Sequence, residues 1–315
     1  MLSLSVRVDA RIEEAEEIVG LRLVDEQGAA LPAHTAGAHI DVEAAPSLVR
    51  QYSLLNPPGE SGHYSIAVLR EPASRGGSAA MHRLAVGDRL RIGVPRNQFA
   101  LVPSPHTLLF GGGIGITPLL SMAEQLFSAG SPFELHYSSR SPRRAAFVGQ
   151  LMRAPYASSV HIYHDEGAAT GPVDIHAVLR ASEPLSHVYA CGPAGYLDFV
   201  TAAARKHDWA EDHIHIERFS NTLDGTTDSE FSVRIASTGA VYAVPPKRSI
   251  VEVLAEHGID IPVSCEQGVC GTCLTRVLDG RPVHRDIYLT EDEKTRNEQM
   301  TPCCSRGIGQ IVLDL

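Results

Sequence analysis

Three cysteines stand within nine residues, Cys265-Glu266-Gln267-Gly268-Val269-Cys270-Gly271-Thr272-Cys273, and no other stretch constrains the chain as much. The spacing is C-x4-C-x2-C, and two more cysteines, Cys303 and Cys304, follow far downstream. Thiols crowded in this way, in a chain that opens without a basic start and apolar core, read as metal ligands rather than disulfides. Structural zinc sites usually pair their cysteines as CxxC…CxxC, whereas this sequence has one CxxC. Four thiolates, three of them in one tight run, suit a [2Fe–2S] cluster, with zinc as the alternative. Gly268 and Gly271 let such a loop wrap closely, so that backbone N–H groups point at sulfur. Spacing alone leaves the fourth ligand between Cys303 and Cys304.

The 315 residues suffice for two or three domains. With 43% hydrophobic and 20% charged residues the chain reads as globular, and a net charge of -10 argues against nucleic-acid binding. No apolar run approaches the ~20 residues that span a bilayer, so the expected location is the cytoplasm, away from membranes.

Three textures succeed one another. Short strands are expected at 20–24, 39–42, 51–55, 64–70 and 89–92, with Gly and Pro between them, as in a small antiparallel β-barrel. From Pro105 the pattern becomes strand, helix, strand, which argues a parallel α/β sheet. Strands are expected at 107–110, 133–137 and 188–190, and a helix at 118–128 with Thr117 as N-cap and Gly130 as its stop. The polar stretch 221–230 reads as a linker. Beyond it, 231–235 and 241–244 form a hairpin around Thr238-Gly239, and Ser249 with Glu252 makes a capping box for a helix closed by Gly258.

Other segments carry chemistry. Gly111-Gly112-Gly113-Ile114-Gly115-Ile116-Thr117-Pro118 lies between an apolar strand and a helix, where a pyrophosphate meets free N–H groups, although Ile116 replaces the last glycine of GxGxxG. Cys191-Gly192-Pro193 ends a second apolar strand, and a lone thiol there is either a site residue or core. Arg50-Gln51-Tyr52-Ser53 offers charge, an aromatic wall and a hydroxyl; Arg75-Gly76-Gly77-Ser78 offers a phosphate-binding turn or a plain flexible one.

Taken in order, RxYS, GGxGxTP, CGP and a final C-x4-C-x2-C…C resemble the phthalate dioxygenase reductase family, to which vanillate O-demethylase reductases belong. The resemblance covers essentially the whole chain. It implies an FMN-binding barrel (1–103), an NAD(P)H-binding α/β domain (104–225) and a plant-type, β-grasp-like [2Fe–2S] ferredoxin domain (226–315). It implies that Arg50, Gln51, Tyr52 and Ser53, with Ala67, Val68 and Leu69 of a neighbouring strand, line the flavin, and that Gly76, Gly77 and Ser78 hold its phosphate. Gly112, Gly113, Gly115, Gly192, Pro193, Ser139 and Arg140 are the implied nucleotide contacts, while Thr117, Cys191 and Phe219 are placed near nicotinamide and flavin. Cys265, Cys270, Cys273 and Cys303 become the cluster ligands, and Cys304 a bystander. The implied function is electron transfer from NAD(P)H through FMN and the cluster to a Rieske-type oxygenase that acts on an aromatic compound. A reductase serving a cytochrome P450, or a non-catalytic electron carrier, is the rival reading. Family habit favours NADH, yet Arg140, Arg143 and Arg144 follow the second strand of the α/β region, where an NADH-selecting acid is often found.

Overall fold

The computed structural model describes residues 2–45, 48–72, 76–166, 171–182, 185–220 and 228–315, with the side chains of Glu60 and Ser61 left aside. Arg75 and residues 221–227 of the expected linker lie outside the described residues. The chain divides into two compact units, Met1–Phe219 and Ser220–Leu315.

The first unit opens with strands β1 (Leu2–Ala15), β2 (Ile18–Asp25), β3 (Leu31–His34), β4 (His39–Ala45), β5 (Leu48–Ser53), β6 (Gly59–Ser61) and β7 (Tyr64–Leu69), then helix α1 (Gly77–His82) and strand β8 (Arg89–Gly93). Six of the strands form an antiparallel sheet in the order β5-β4-β8-β1-β2-β7. Just beyond β5, Leu55 N donates to Ser65 O of β7 (2.9 Å), so the two edges of the sheet approach one another as in a barrel. Its interior is apolar: Val6, Val8, Leu21, Ile40, Tyr64 and Ile66 are all buried. Strand β1 was absent from the sequence-based expectations, although Leu4, Val6 and Val8 alternate with Ser3, Ser5 and Arg7 at the strand period.

The α/β half follows: β9 (Thr107–Gly112), α2 (Ile116–Ser128), β10 (Phe133–Ser139), α3 (Val148–Leu151), β11 (Val160–His164), α4 (Ile175–Ala181), β12 (His187–Cys191), α5 (Ala194–Lys206) and β13 (Ile214–Glu217). The five strands are parallel in the order β11-β10-β9-β12-β13. Chain direction across the sheet reverses between β9 and β12, and such a switch point opens a crevice at the strands' carboxyl ends. Strand β9 is central and buried throughout. Helix α2 starts earlier than expected, and Gly115 occupies its N-cap position. Thr117 therefore lies inside the helix, where its Oγ1 donates to Ile114 O (2.9 Å) instead of capping. Gly130 does stop the helix, at φ +65°.

The second unit holds β14 (Phe231–Ile235), β15 (Val241–Val244), α6 (Ile250–Glu256), β16 (Thr275–Val283), α7 (Glu291–Arg296), β17 (Gln299–Met300) and β18 (Arg306–Leu313). Its mixed sheet runs β15-β14-β18-β16-β17, with β14 and β18 parallel. The hairpin and the Ser249–Glu252 capping box match expectation. Arg306 is almost fully buried and stacks over the Phe231 ring (4.8 Å). Its guanidinium donates to Arg248 O (2.6 Å), Ser229 O and Pro245 O (both 3.0 Å), and faces Asp228 Oδ2 at 3.6 Å. A buried charge is stable only when fully paired. Arg306→Ala leaves four carbonyls without this donor and takes one of two arginines from Asp228, which keeps Arg285, and should destabilise the second unit by about 3–5 kcal/mol. Urea unfolding followed by hydrogen exchange in β14 and β18 measures this; a loss under about 1 kcal/mol would mean the network is a minor contributor.

Candidate functional site

Residues of chemical interest gather at three places. The first is the loop after α6. The thiols of Cys265 and Cys270, of Cys265 and Cys303, and of Cys273 and Cys303 lie within hydrogen-bonding reach of each other. Hydrogen bonds from Cys270 and Cys303, then from the N–H groups of Gln267 and Val269 (both 3.4 Å), hold the Cys265 thiol down at about 2 against the cost of burial. The loop is shaped by residues in the left-handed region: Glu266 (φ +55°), Gly268 (φ +71°) and Gly271 (φ +67°). A Cβ on Gly268 would lie 2.4 Å from Cys304 Sγ, and one on Gly271 2.3 Å from the Tyr288 ring. Four convergent thiols, backbone N–H groups aimed at sulfur and a tightly wrapped loop fit a [2Fe–2S] cluster. The Cys304 thiol lies within reach of Cys303 as well as of Thr301 (Oγ1 at 3.2 Å), and it packs against Gly268. Sequence reading missed the clamp over this loop, in which Ile287 N donates to Gly268 O (3.0 Å) and the buried Asp286 receives Leu289 N (2.8 Å).

The second place is the switch point. The loop after β9 and the loop after β12 meet backbone to backbone. A Cβ on Gly115 would lie 2.2 Å from Cys191 O, and one on Gly192 3.0 Å from Gly112 Cα. Pro193 and the ring of Tyr196, which sequence reading missed, close on Gly112. The left-handed Gly113 (φ +55°) has open space where its Cβ would be. Glycines that keep these loops slim, at a helix N-terminus, fit the pyrophosphate of a dinucleotide. Cys191 is fully buried, within the core shared by Ala67, Ile116 and Leu119. Burial, then the neighbouring Glu217, pushes its thiol pKa well up, so it is neutral at pH 7. Glu217 pairs with Cys191 across β13 and β12, and its buried Oε2 makes no hydrogen bond among the described residues. Glu217 was quoted in the sequence only as a neighbour of Phe219, and its burial could not be read from the chain. Phe219 is 41% exposed at the end of the first unit. At the end of β10, Ser139 Oγ meets His164 Nδ1 (2.7 Å), while Arg140 is exposed and Arg144 faces Glu16 (3.7 Å).

The third place is β5 with α1 and β7. Alternation places Arg50 and Tyr52 on the side of Val42 and Ile40. A Cβ on Gly77 would lie 3.0 Å from Arg50 Cγ, so the Arg50 stem crosses the start of α1. Gly76 is left-handed (φ +103°) at the N-cap, and Ser78 Oγ accepts from Glu71 N (3.1 Å). Arg50, Gly76 and Gly77 thus form a basic corner suited to a flavin phosphate. Gln51 and Ser53 lie on the opposite side of the strand, where Gln51 Nε2 contacts Asp41 Oδ1 (3.2 Å) and His39 Nε2 (3.1 Å). Ala67 faces the core containing Cys191, Val68 points into the barrel, and Leu69 is partly buried.

Comparison with known proteins bears on all three places. The 2Fe-2S iron-sulfur cluster binding domain matches residues 233–306. The vanillate O-demethylase oxidoreductase of Pseudomonas sp. (strain HR199 / DSM 7063) is 47% identical over 305 residues, which cover 96% of each chain. A solved phthalate dioxygenase reductase, described as modular for electron transfer from pyridine nucleotides to [2Fe-2S], is 38% identical and covers 99% of this chain and 98% of its own, with a TM-score of 0.80. The chain belongs to the phthalate dioxygenase reductase family. Across the same 99% of this reductase, an intact type IV self-sufficient cytochrome P450 monooxygenase matches with 36% identity and a TM-score of 0.82, over 41% of its length. Among the described residues no helix is long and apolar enough to cross a membrane.

Burial pushes the Glu217 carboxyl up to about 8 from 4.5. A raised carboxyl stabilises the fold fully below pH 4.5 and loses that contribution as pH rises through about 8. The reductase should therefore lose melting temperature between about pH 4.5 and 8, and Glu217→Gln, which keeps the neutral shape, should flatten this slope. Each tenfold change in proton affinity is worth roughly 1.4 kcal/mol. Parallel slopes for the two proteins would show that the carboxylate ionises without cost.

Proposed function

We propose that the chain is the reductase component of a Rieske-type aromatic oxygenase or demethylase, working in the cytoplasm and taking its electrons from NADH. The observation that carries this reading is the convergence of Cys265, Cys270, Cys273 and Cys303 in a unit downstream of a nucleotide-type crevice. The proposed domains are 1–103 for FMN, 104–225 for the nucleotide and 226–315 for the cluster. A bound flavin supplies the change from two-electron to one-electron transfer between nicotinamide and cluster.

The residues have separable tasks. Gly112, Gly113, Gly115, Gly192 and Pro193 admit the dinucleotide backbone, with Ser139 and Arg140 toward its ribose. Cys191, neutral and without room to move, gives the nicotinamide an apolar wall beside the neutral Glu217. Thr117 shapes the helix start beneath that wall, and Phe219 offers an aromatic face. Arg50, Tyr52 and Ser53, the Ala67–Leu69 segment and Gly76 to Ser78 hold the flavin, with Gln51 fixing the strand through Asp41. Cys265, Cys270, Cys273 and Cys303 hold the cluster, and electrons run downhill from a plant-type cluster near roughly -400 mV to a Rieske centre. The likeness to a self-sufficient P450 favours a second reading, service to a haem monooxygenase.

Two measurements test the proposal. Cys273→Ala removes a ligand that no neighbour replaces. NADH oxidation with a small acceptor that draws on the flavin should persist, while reduction of cytochrome c or of an oxygenase should fall at least roughly 100-fold. Undiminished protein reduction would take the cluster off the electron path. For nucleotide choice, kcat/KM should favour NADH, with Arg144 held toward Glu16 and Arg140 exposed just after β10. A clear advantage for NADPH would reverse the assignment and point to Arg140 or Arg143.

A further inference from the structure

Away from the crevice, the strands β10 and β11 carry a second group of ligating side chains. Glu134 and His136 alternate on one face of β10, and His161 lies directly across from His136 in the parallel register. Glu134 Oε2 is 3.2 Å from His136 Nε2 and 3.7 Å from His161 Nε2, and its other oxygen is 3.8 Å from His106 Nε2. The ligand atoms of Glu134, His136 and His161 all lie within 4.8 Å of one another.

We propose that Glu134, His136 and His161 form a binding site for a divalent transition metal of the zinc class, with the fourth position open to water. A tetrahedral zinc ion at about 2.0–2.1 Å from its ligands holds those ligands about 3.3–3.4 Å apart, and the two separations from Glu134 Oε2, 3.2 and 3.7 Å, lie near that spacing. Imidazole and carboxylate are borderline ligands that suit zinc, copper and nickel better than calcium or magnesium. The decisive side chain is His136. It is 2% exposed, and its Nε2, 3.2 Å from the Glu134 carboxylate, makes no hydrogen bond of good geometry among the described residues. Such a buried polar atom asks for a partner. The His136 Nδ1 is 3.2 Å from the Tyr163 hydroxyl and its ring is stacked on Phe110 (5.0 Å), which fixes its orientation as an outer shell does; the His161 ring lies nearly parallel at 4.8 Å, so the exposed His161 must turn to bring its lone pair to the ion. Glu134 and His161 are each 42% exposed and give the ion a way in. Because β11 is the edge strand, an ion here would tie that edge to β10.

The test uses untagged full-length protein carrying its cluster and flavin, treated with a chelator and then titrated with Zn2+ by calorimetry. The expected result is one zinc per chain at micromolar concentration and a rise in melting temperature. Glu134→Gln and His161→Ala change exposed side chains outside the proposed flavin, nucleotide and cluster sites. Each should weaken zinc binding about tenfold or more and abolish the zinc-induced rise, with the visible absorption unchanged. Absence of zinc binding in the unaltered protein, or unaltered affinity in both variants, overturns the proposal.

Discussion

The contact on which the first unit depends is the approach of two backbones, Gly115 beneath the carbonyl of Cys191. Any side chain at residue 115 would lie 2.2 Å from that oxygen, so the closeness of β9's loop to β12's loop exists only with glycine there. The approach seats the start of α2 over the switch point, and the helix then carries Ile116, Leu119 and Leu120 into the core that also contains Ala67 and Leu55. Ser121 Oγ on the same helix donates to Asn56 O (3.1 Å), which joins the α/β half to the loop beyond β5. The crevice, the helix dipole and the β5–β7 surface are thus positioned by one glycine-dependent packing decision.

A similar economy governs the second unit. Its cysteine loop is too short to make regular structure, and its shape comes from left-handed backbone at three positions. What holds that loop is supplied from far along the chain, by Asp286, Ile287 and Tyr288. Arg306, in the strand that follows Cys303 and Cys304, gathers four carbonyl oxygens around one buried charge. The ligand-bearing turn and the sheet are therefore secured by the same short stretch of sequence.

Neutrality of buried groups is a recurring theme in the α/β half. Cys191, Glu217 and His136 all sit where burial disfavours their charged forms. For Cys191 and Glu217 this keeps fixed charge out of the buried end of the switch-point crevice.

Much of this was legible in the chain. The C-x4-C-x2-C run, the Gly111–Pro118 and Cys191–Pro193 turns, the 231–244 hairpin and the Ser249 capping box are local signals, written in adjacent residues and governed by short-range sterics and hydrogen bonds. Strand β1 was legible in principle, since its alternation is clear, but only pairing with β2 and β8 on both sides makes it central. Thr117 looked like a cap because it precedes a proline; the helix begins two residues earlier, with Gly115 at the N-cap where it passes under Cys191. That Cys303 comes within reach of Cys265 and Cys273, while Cys304 reaches Cys303 and Thr301, is a matter of packing that spacing does not reveal. Glu217, Tyr196 and the Glu134–His136–His161 group meet their partners across strands and helices. Sequence determined which turns, thiols and caps the chain owns; tertiary structure decided which polar groups are buried beside one another, because burial is a property of packed surfaces and not of neighbours in the chain.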